Sequence, residues 1–218
     1  MFDRIAGVYD RMNSVMTAGL HHHWRRRAAD MAALEPGGTA LDVACGTGDL
    51  AIELANRVGP TGVVIGSDFS EGMLALARGK APALTWEWGN ALQLAYEDDR
   101  FDAVTVGFGA RNFADLDQGL REMTRVAKPG GHVVVLEITT PTKPPLSTFF
   151  GAWFDRVVPM IGKLAGDSDA YTDLPSSVKR FPGPHELAQR MSACGLQEIR
   201  YVLTAGGIIA IHAGRKPA

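Results

Sequence analysis

The sequence predicts an α/β fold: a mostly parallel sheet with helices on both faces, finished by an antiparallel hairpin. Three observations lead there. From Thr39 onward, short apolar runs alternate with segments of helical periodicity. The first run ends in the glycine-rich turn "CGTGDL". The final stretch, "LQEIRYVLTAGGIIAIHAG", reads as two strands joined by a short turn around Ala205 to Gly207.

Each element has its own signal. "TALDVA" is a β-rich run, and in "LAIELANRV" Leu50, Leu54 and Val58 recur at helical spacing. "GVVIGSD" reads as the second strand and "EGMLALARGK" as the second helix. "LTWEWGN" alternates as a third strand, with Trp86 and Trp88 on one face, where both are expected in the core. "FDAVTVGFG" is the fourth strand, and "LDQGLREMTRVA" is a helix stopped by "KPGG". "HVVVLEI" is the fifth strand, and "PHELAQRMSACG" is a helix ended by Gly195. Strands that are apolar throughout belong to a parallel sheet covered on both faces. The hairpin adds two strands, giving a seven-stranded mixed sheet.

Composition narrows the function. The chain has 218 residues, a size that suits one domain, with 46% hydrophobic and 21% charged residues. A net charge of −2 supplies no global attraction for nucleic acid. Two cysteines, Cys45 and Cys194, lack disulfide or zinc spacing and fit a reducing, cytoplasmic setting. The opening Met1-Phe2-Asp3 lacks the pattern of a secretory signal, and no apolar run is long enough to span a bilayer.

The strongest chemical signal is "LDVACGTGDLA", Leu41 to Ala51. A strand ends, Gly46 and Gly48 let backbone approach a ligand closely, and a helix begins with free N–H donors. Asp68, twenty residues after Gly48, closes the second strand, where a carboxylate can accept from both hydroxyls of a ribose. Glycines and Ala51 also fit the dinucleotide pattern G-x-G-x-x-A. Asp42, four residues before Gly46, leans the other way. It resembles the D-x-x-x-G-x-G motif of class I S-adenosylmethionine-dependent methyltransferases, a Rossmann-like fold with a C-terminal antiparallel addition.

The stretch "YDRMNSVMTAGLHHHW" makes the resemblance specific. Tyr9, Asp10, Met12, Asn13, His21 and Trp24 match the first signature of the quinone-biosynthesis C-methyltransferases, the demethylmenaquinone and ubiquinone methyltransferase family, with Thr17 where the family usually has Ser. "RVAKPGGHVVVLEIT" resembles the second signature, and "GFGARNF", "GDSDAYTDLPSSVKRFP" and "TAGGIIAIH" resemble further family blocks. Gly107 stands where relatives often carry Ser.

The resemblance implies a single domain over residues 1–218. A helical flap would occupy 1–38, a cofactor core 39–140, a lid or substrate segment 141–195 and the hairpin 196–218. It implies S-adenosylmethionine held by Asp42, Gly46, Thr47, Gly48, Asp68, Phe69, Met73, Asn90 and Ala91. The acceptor would be a prenylated quinol, demethylmenaquinol first and a benzoquinol as the alternative. Asp10, Asn13, Trp24, Asn112, Asp169, Tyr171 and Ser177 would line the acceptor side.

Carbon methylation needs an acceptor hydroxyl to lose its proton, so a base or a phenolate-stabilising cation is expected. Arg111 is the expected cation, with an ion pair to an acid such as Asp115 as its structural alternative. His21 and Tyr9 are the further catalytic candidates. No metal is expected, because consecutive histidines on a helix point about 100° apart. His22 and His23 read as surface, and so do Arg25 to Arg27, whose other reading is contact with anionic lipid. "STFFGAWFDRVVPMIGKL" reads either as a lid that meets the membrane transiently or as core or a homodimer interface.

Overall fold

The computed structural model describes Thr17, residues 19–141, Thr148 and residues 175–218. Of the expected lid segment, residues 142–147 and 149–174 lie outside these, as do the signature residues before Thr17. Seven strands form one sheet in the order β3-β2-β1-β4-β5-β7-β6. They are β1 Thr39–Val43, β2 Val63–Asp68, β3 Thr85–Trp88, β4 Phe101–Gly107, β5 Ala127–Ile138, β6 Gln197–Thr204 and β7 Ile209–Arg215. The first five run parallel. β7 inserts antiparallel between β5 and β6, so the first strand of the terminal hairpin becomes the sheet edge.

Helices cover both faces. The alternating side chains of the central strands separate into two cores, as a two-sided sheet requires. On one face, Ala40, Ala103, Val134, Leu136 and Ile211 meet α1 (Leu20–Met31), α2 (Asp49–Val58) and α3 (Glu71–Lys80). On the other, Leu41, Val104, Val133 and Val135 meet α4 (Leu116–Val126) and α5 (Pro184–Ala193). Caps set the helix starts: the Ser70 hydroxyl accepts from Met73 N, and the Asp115 carboxylate accepts from Gln118 N. Pro184 opens α5 at a position where its missing N–H costs nothing.

Three expectations need correction here. α1, expected within a flap, is part of the core layer, with Trp24, Ala28 and Ala29 buried against it. The helix does stop before "KPGG", but the strand expected over "HVVVLEI" starts earlier: β5 begins at Ala127 and runs through "KPGG", with a register shift opposite Phe101–Ala103. Trp86 is buried, but Trp88 is 60% exposed. β3 is the edge strand, and the helix layer that covers Trp86 does not reach its last residue.

Trp86 has a structural task at the sheet edge. Its indole lies where a Cβ on Gly66 would come within 2.4 Å and one on Gly48 within 2.3 Å. Its Nε1 donates to Ala81 O at 2.9 Å, which fixes the ring. Gly66→Ala is therefore expected to destabilise the fold by about 1–3 kcal/mol through overpacking. Gly79→Ala is the control. It lies in α3 with nothing within 4 Å of the added Cβ, so it is expected to stabilise by up to about 1 kcal/mol. Denaturant midpoints of the two variants check both signs.

Candidate active site

The cleft opens at the carboxyl ends of β1, β2 and β4, where open α/β sheets bind ligands. Its volume is about 230 Å³. Ala44 and Phe108, which follow β1 and β4, both have positive φ, at 51° and 62°. Left-handed backbone at a residue with a Cβ costs of order 1–3 kcal/mol and clusters at functional sites.

The turn after β1 is built from backbone. Gly46 and Gly48 have φ of 56° and 86°, which glycine adopts without strain. The Asp68 carboxylate clasps this turn: Oδ2 accepts from Gly46 N at 2.8 Å and Oδ1 from Ser70 N at 2.9 Å. Each carboxylate oxygen can accept more than one hydrogen bond, so both can also receive ligand hydroxyls. Phe69 and Met73 line the cleft beside it, together with Asn90 and Ala91 beyond β3. Asn90 Oδ1 accepts from Leu92 N at 3.0 Å, and this turn presents Ala91 to the cleft.

Asp42 is buried beneath the turn. Its Oδ1 accepts from the Thr105 hydroxyl at 2.7 Å, and its Oδ2 has no hydrogen-bond partner among the described residues. Burial pushes its carboxyl up to about 7, against the lowering effects of the Thr105 hydrogen bond and the Arg25 charge. Cys45 shares this setting. Burial drives its thiol well upward, so it stays protonated and is no nucleophile.

A family model described as the ubiE/COQ5 methyltransferase family matches residues 1–216. The chain belongs to that family. The demethylmenaquinone methyltransferase of Desulfitobacterium hafniense (strain Y51) is 43% identical over 223 residues, covering 99% of this chain and 88% of its own length. The protein of the same name from Thermus thermophilus is 44% identical over 222 residues, with both chains fully covered. Among solved structures, a SAM-dependent methyltransferase from Thermotoga maritima matches with a TM-score of 0.70 at 20% identity, over 99% of this chain and 97% of its own. The cyclase SpnF matches at 0.67 and 19% identity, over 90% and 81%. At such identities the likeness is one of fold, and the fold hosts more than one reaction.

This methyltransferase brings all nine sequence-predicted cofactor residues to one place: Asp42, Gly46, Thr47, Asp68, Phe69, Met73, Asn90 and Ala91 line the cleft, and Gly48 caps α2 at its edge. Asn112 lines it too. The other acceptor-side residues differ. Trp24 and Ser177 are buried but are not among the lining residues, and Trp24 packs edge-on to Phe108 at 6.4 Å. Tyr9, Asp10, Asn13, Asp169 and Tyr171 lie outside the described residues.

The partner of Arg111 is Glu137, not Asp115. Arg111 Nη1 meets Glu137 Oε1 at 2.8 Å, its backbone N donates to Oε2 at 3.2 Å, and the guanidinium also donates to Phe108 O. Asp115 instead caps α4. The Arg111 side chain is absent from the cleft lining. At Gly107, an added Cβ would lie 3.0 Å from the flexible end of Leu50, a tight fit for the serine that the family resemblance leads one to expect there.

His21 is buried, bonded through Nδ1 to Arg25, and its ring lies 3.9 Å from that of His22. These two rings and Asp49 gather within 4.8 Å, closer than divergence along a helix predicts. A divalent cation there would face two positive side chains. Lys80 holds Asp49 at 2.7 Å, and Arg25 stands 3.7 Å from it. Burial raises the Asp49 carboxyl, but these charges outweigh it and hold it below the usual range.

Arg25 corrects the reading of a solvated basic run. Arg26 and Arg27 are exposed, but Arg25 is buried and lines the cleft. The sequence held one signal for this: Arg25 is four residues from both His21 and Ala29, on the buried stripe of α1.

Asp42 makes stability pH-dependent. Its folded pKa is raised from an unfolded value near 4, so between about pH 4 and 7 the folded state holds a proton that the unfolded state has released. This contribution is complete below about pH 4 and is lost as pH rises through about 7. Asp42→Asn lacks it. The stability of wild type minus that of Asp42→Asn is expected to fall between pH 5 and pH 8. Denaturant titrations at both values check it, and a flat difference refutes the protonated carboxyl.

Proposed function

We propose that the protein transfers a methyl group from S-adenosylmethionine to a ring carbon of demethylmenaquinol, giving menaquinol. The observation that carries this reading is the end-to-end similarity to demethylmenaquinone methyltransferases, at 43% and 44% identity.

The cleft's chemistry fits the cofactor. Asp42 Oδ2, buried and without a protein partner among the described residues, suits a cationic amino-acid end. Glycine at positions 46 and 48 leaves backbone N–H groups approachable, and Asp68 suits a ribose diol. Thr47 stands beside the turn with its hydroxyl accepting from Lys80 at 3.0 Å. When bound, S-adenosylmethionine supplies a methyl group activated by a positive sulfur.

The residues of the chain do the rest. Phe108, Phe113 and Leu50 line the cleft with apolar surface, which excludes water from the line of attack. The acceptor carbon becomes nucleophilic when its neighbouring hydroxyl gives up a proton. Held by Asp42, Asp68 and the Gly46 turn, the cofactor would supply its methyl group to that carbon, with S-adenosylhomocysteine as the leaving group and the displaced ring proton passing to solvent. Asn112 lines the cleft and can hydrogen-bond the acceptor oxygen. Arg111, paired with Glu137, acts as a positioning residue for the turn that carries Phe108 and Asn112. The isoprenoid tail of the acceptor calls for transient contact with a membrane surface. No helix among the described residues is long and apolar enough to cross one.

Two experiments test this. Mass spectrometry after incubation with S-adenosylmethionine and either demethylmenaquinol or a demethylated benzoquinol is expected to show the methylated naphthoquinol. Product from the benzoquinol alone overturns the acceptor, and no product from either overturns the reaction. For Arg111, removing one partner of the buried pair leaves Glu137 uncompensated. Arg111→Met is expected to cost about 3–5 kcal/mol of stability, and Arg111→Met with Glu137→Gln to recover most of it. Acceptor KM is expected to rise in the single variant and to recover in the double, with cofactor affinity unchanged. A double variant that regains stability but not turnover makes Arg111 a direct partner of the quinol.

A further inference from the structure

Arg25 is a buried charge that the reaction as described does not use. It is 6% exposed and lines the same cleft as Asp42, Thr47 and the Gly46 turn. Its guanidinium lies over the Phe108 ring, 5.3 Å from the centroid, and contacts His21 Nδ1. Its carboxylate neighbour is Asp49, with Nη2 to Oδ2 at 3.7 Å. That separation is an ionic attraction without a hydrogen bond. The other Asp49 oxygen is taken by Lys80 at 2.7 Å. A guanidinium cannot shed its proton, and burying one without a close, bidentate partner is costly.

The same cleft carries a buried carboxyl, Asp42, whose Oδ2 has no hydrogen-bond partner among the described residues. Arg25 is close enough for its charge to act on that carboxyl. A cation and an acid facing one cleft are the complement of a zwitterion, and an α-amino acid is one. We propose that Arg25 binds the carboxylate of the cofactor's amino-acid end and thereby fastens α1 to the loaded site. The planar guanidinium fork matches a carboxylate, and Lys80 continues to neutralise Asp49 when Arg25 turns to the ligand. The inference rests on the reading of the cofactor as S-adenosylmethionine.

The test compares binding of S-adenosylmethionine with that of its decarboxylated analogue, by calorimetry and without turnover. Wild type is expected to prefer the intact cofactor by about 10- to 100-fold, the range for a hydrogen-bonded charge pair. Arg25→Met is expected to erase that preference by weakening the intact cofactor alone, and Arg25→Lys to restore part of it. Hydrogen exchange in α1 is expected to slow on cofactor binding in wild type and not in Arg25→Met. A preserved preference in Arg25→Met overturns the assignment, and so does an equal loss for both ligands, which marks a purely structural residue. If Arg25→Met does not fold, Arg25→Lys and Arg25→Gln decide on the same ratio. If wild type binds neither ligand, the cofactor reading itself falls and takes this inference with it.

Discussion

The Asp68 carboxylate is the contact on which the cleft depends. One oxygen takes the Gly46 N–H and the other the Ser70 N–H, so a single side chain ties the turn after β1 to the start of α3. The order β3-β2-β1 makes this possible, because it sets the end of β2 beside the end of β1. Trp86 works from the next strand. Its indole fills the space that side chains at Gly48 and Gly66 would otherwise take. A carboxylate above and an aromatic ring beneath leave the glycine turn one conformation. That preorganisation spares a ligand the entropy of ordering it.

The far wall of the cleft is held differently. Phe108 sits at positive φ, and such strain persists only where the surroundings over-determine it. Here its N–H donates to Leu136 O at 2.8 Å and its carbonyl accepts from Arg111. Glu137 in turn takes both the backbone N–H and the guanidinium of Arg111. The chain of contacts runs from β5 through Arg111 to the strained residue. The second family-like block, which contains Glu137, therefore meets the "GFGARNF" block through an ion pair.

The fold was largely legible because its signals are local. "EGMLALARGK" predicts a helix over the residues that form α3, and "GVVIGSD" predicts β2 to within one residue. The cofactor side was legible for a related reason: glycines and acids at the ends of strands owe their places to the strand pattern itself. What escaped was set by contacts distant in sequence. The exposure of Trp88 follows from β3 being the sheet edge, which is a matter of strand order. The pairing of Arg111 with Glu137 depends on β4 and β5 being neighbours. The burial of Arg25 depends on α1 packing against α2 and bringing Asp49 within reach. Sequence periodicity marked the face of α1 that carries Arg25, but an arginine on a buried face looks like an error until its acid is seen.

The charges in and around the cleft divide by the partner each one has. Arg111 has Glu137 at hydrogen-bonding distance and half-buried Asp49 has the exposed Lys80, whereas buried Arg25 is paired only with Asp49 among the described residues, at 3.7 Å. Asp42 lacks such a partner and responds by holding its proton, with its carboxyl near 7. A buried acid poised there changes state when a positive charge arrives beside it, because the attraction lowers the pKa that burial had raised. On the proposed reading, the cofactor brings two positive charges, ammonium and sulfonium, into the cleft. That charge shifts Asp42 toward its ionised form, which a pKa near 7 leaves only partly populated at neutral pH. The same carboxyl, ionised at all times, would burden the ligand-free fold. On that reading Asp42 reconciles a stable apolar interior with recognition of a cation, and Arg25, fixed in charge and lining the same cleft, supplies the orientation that a titrating group alone cannot.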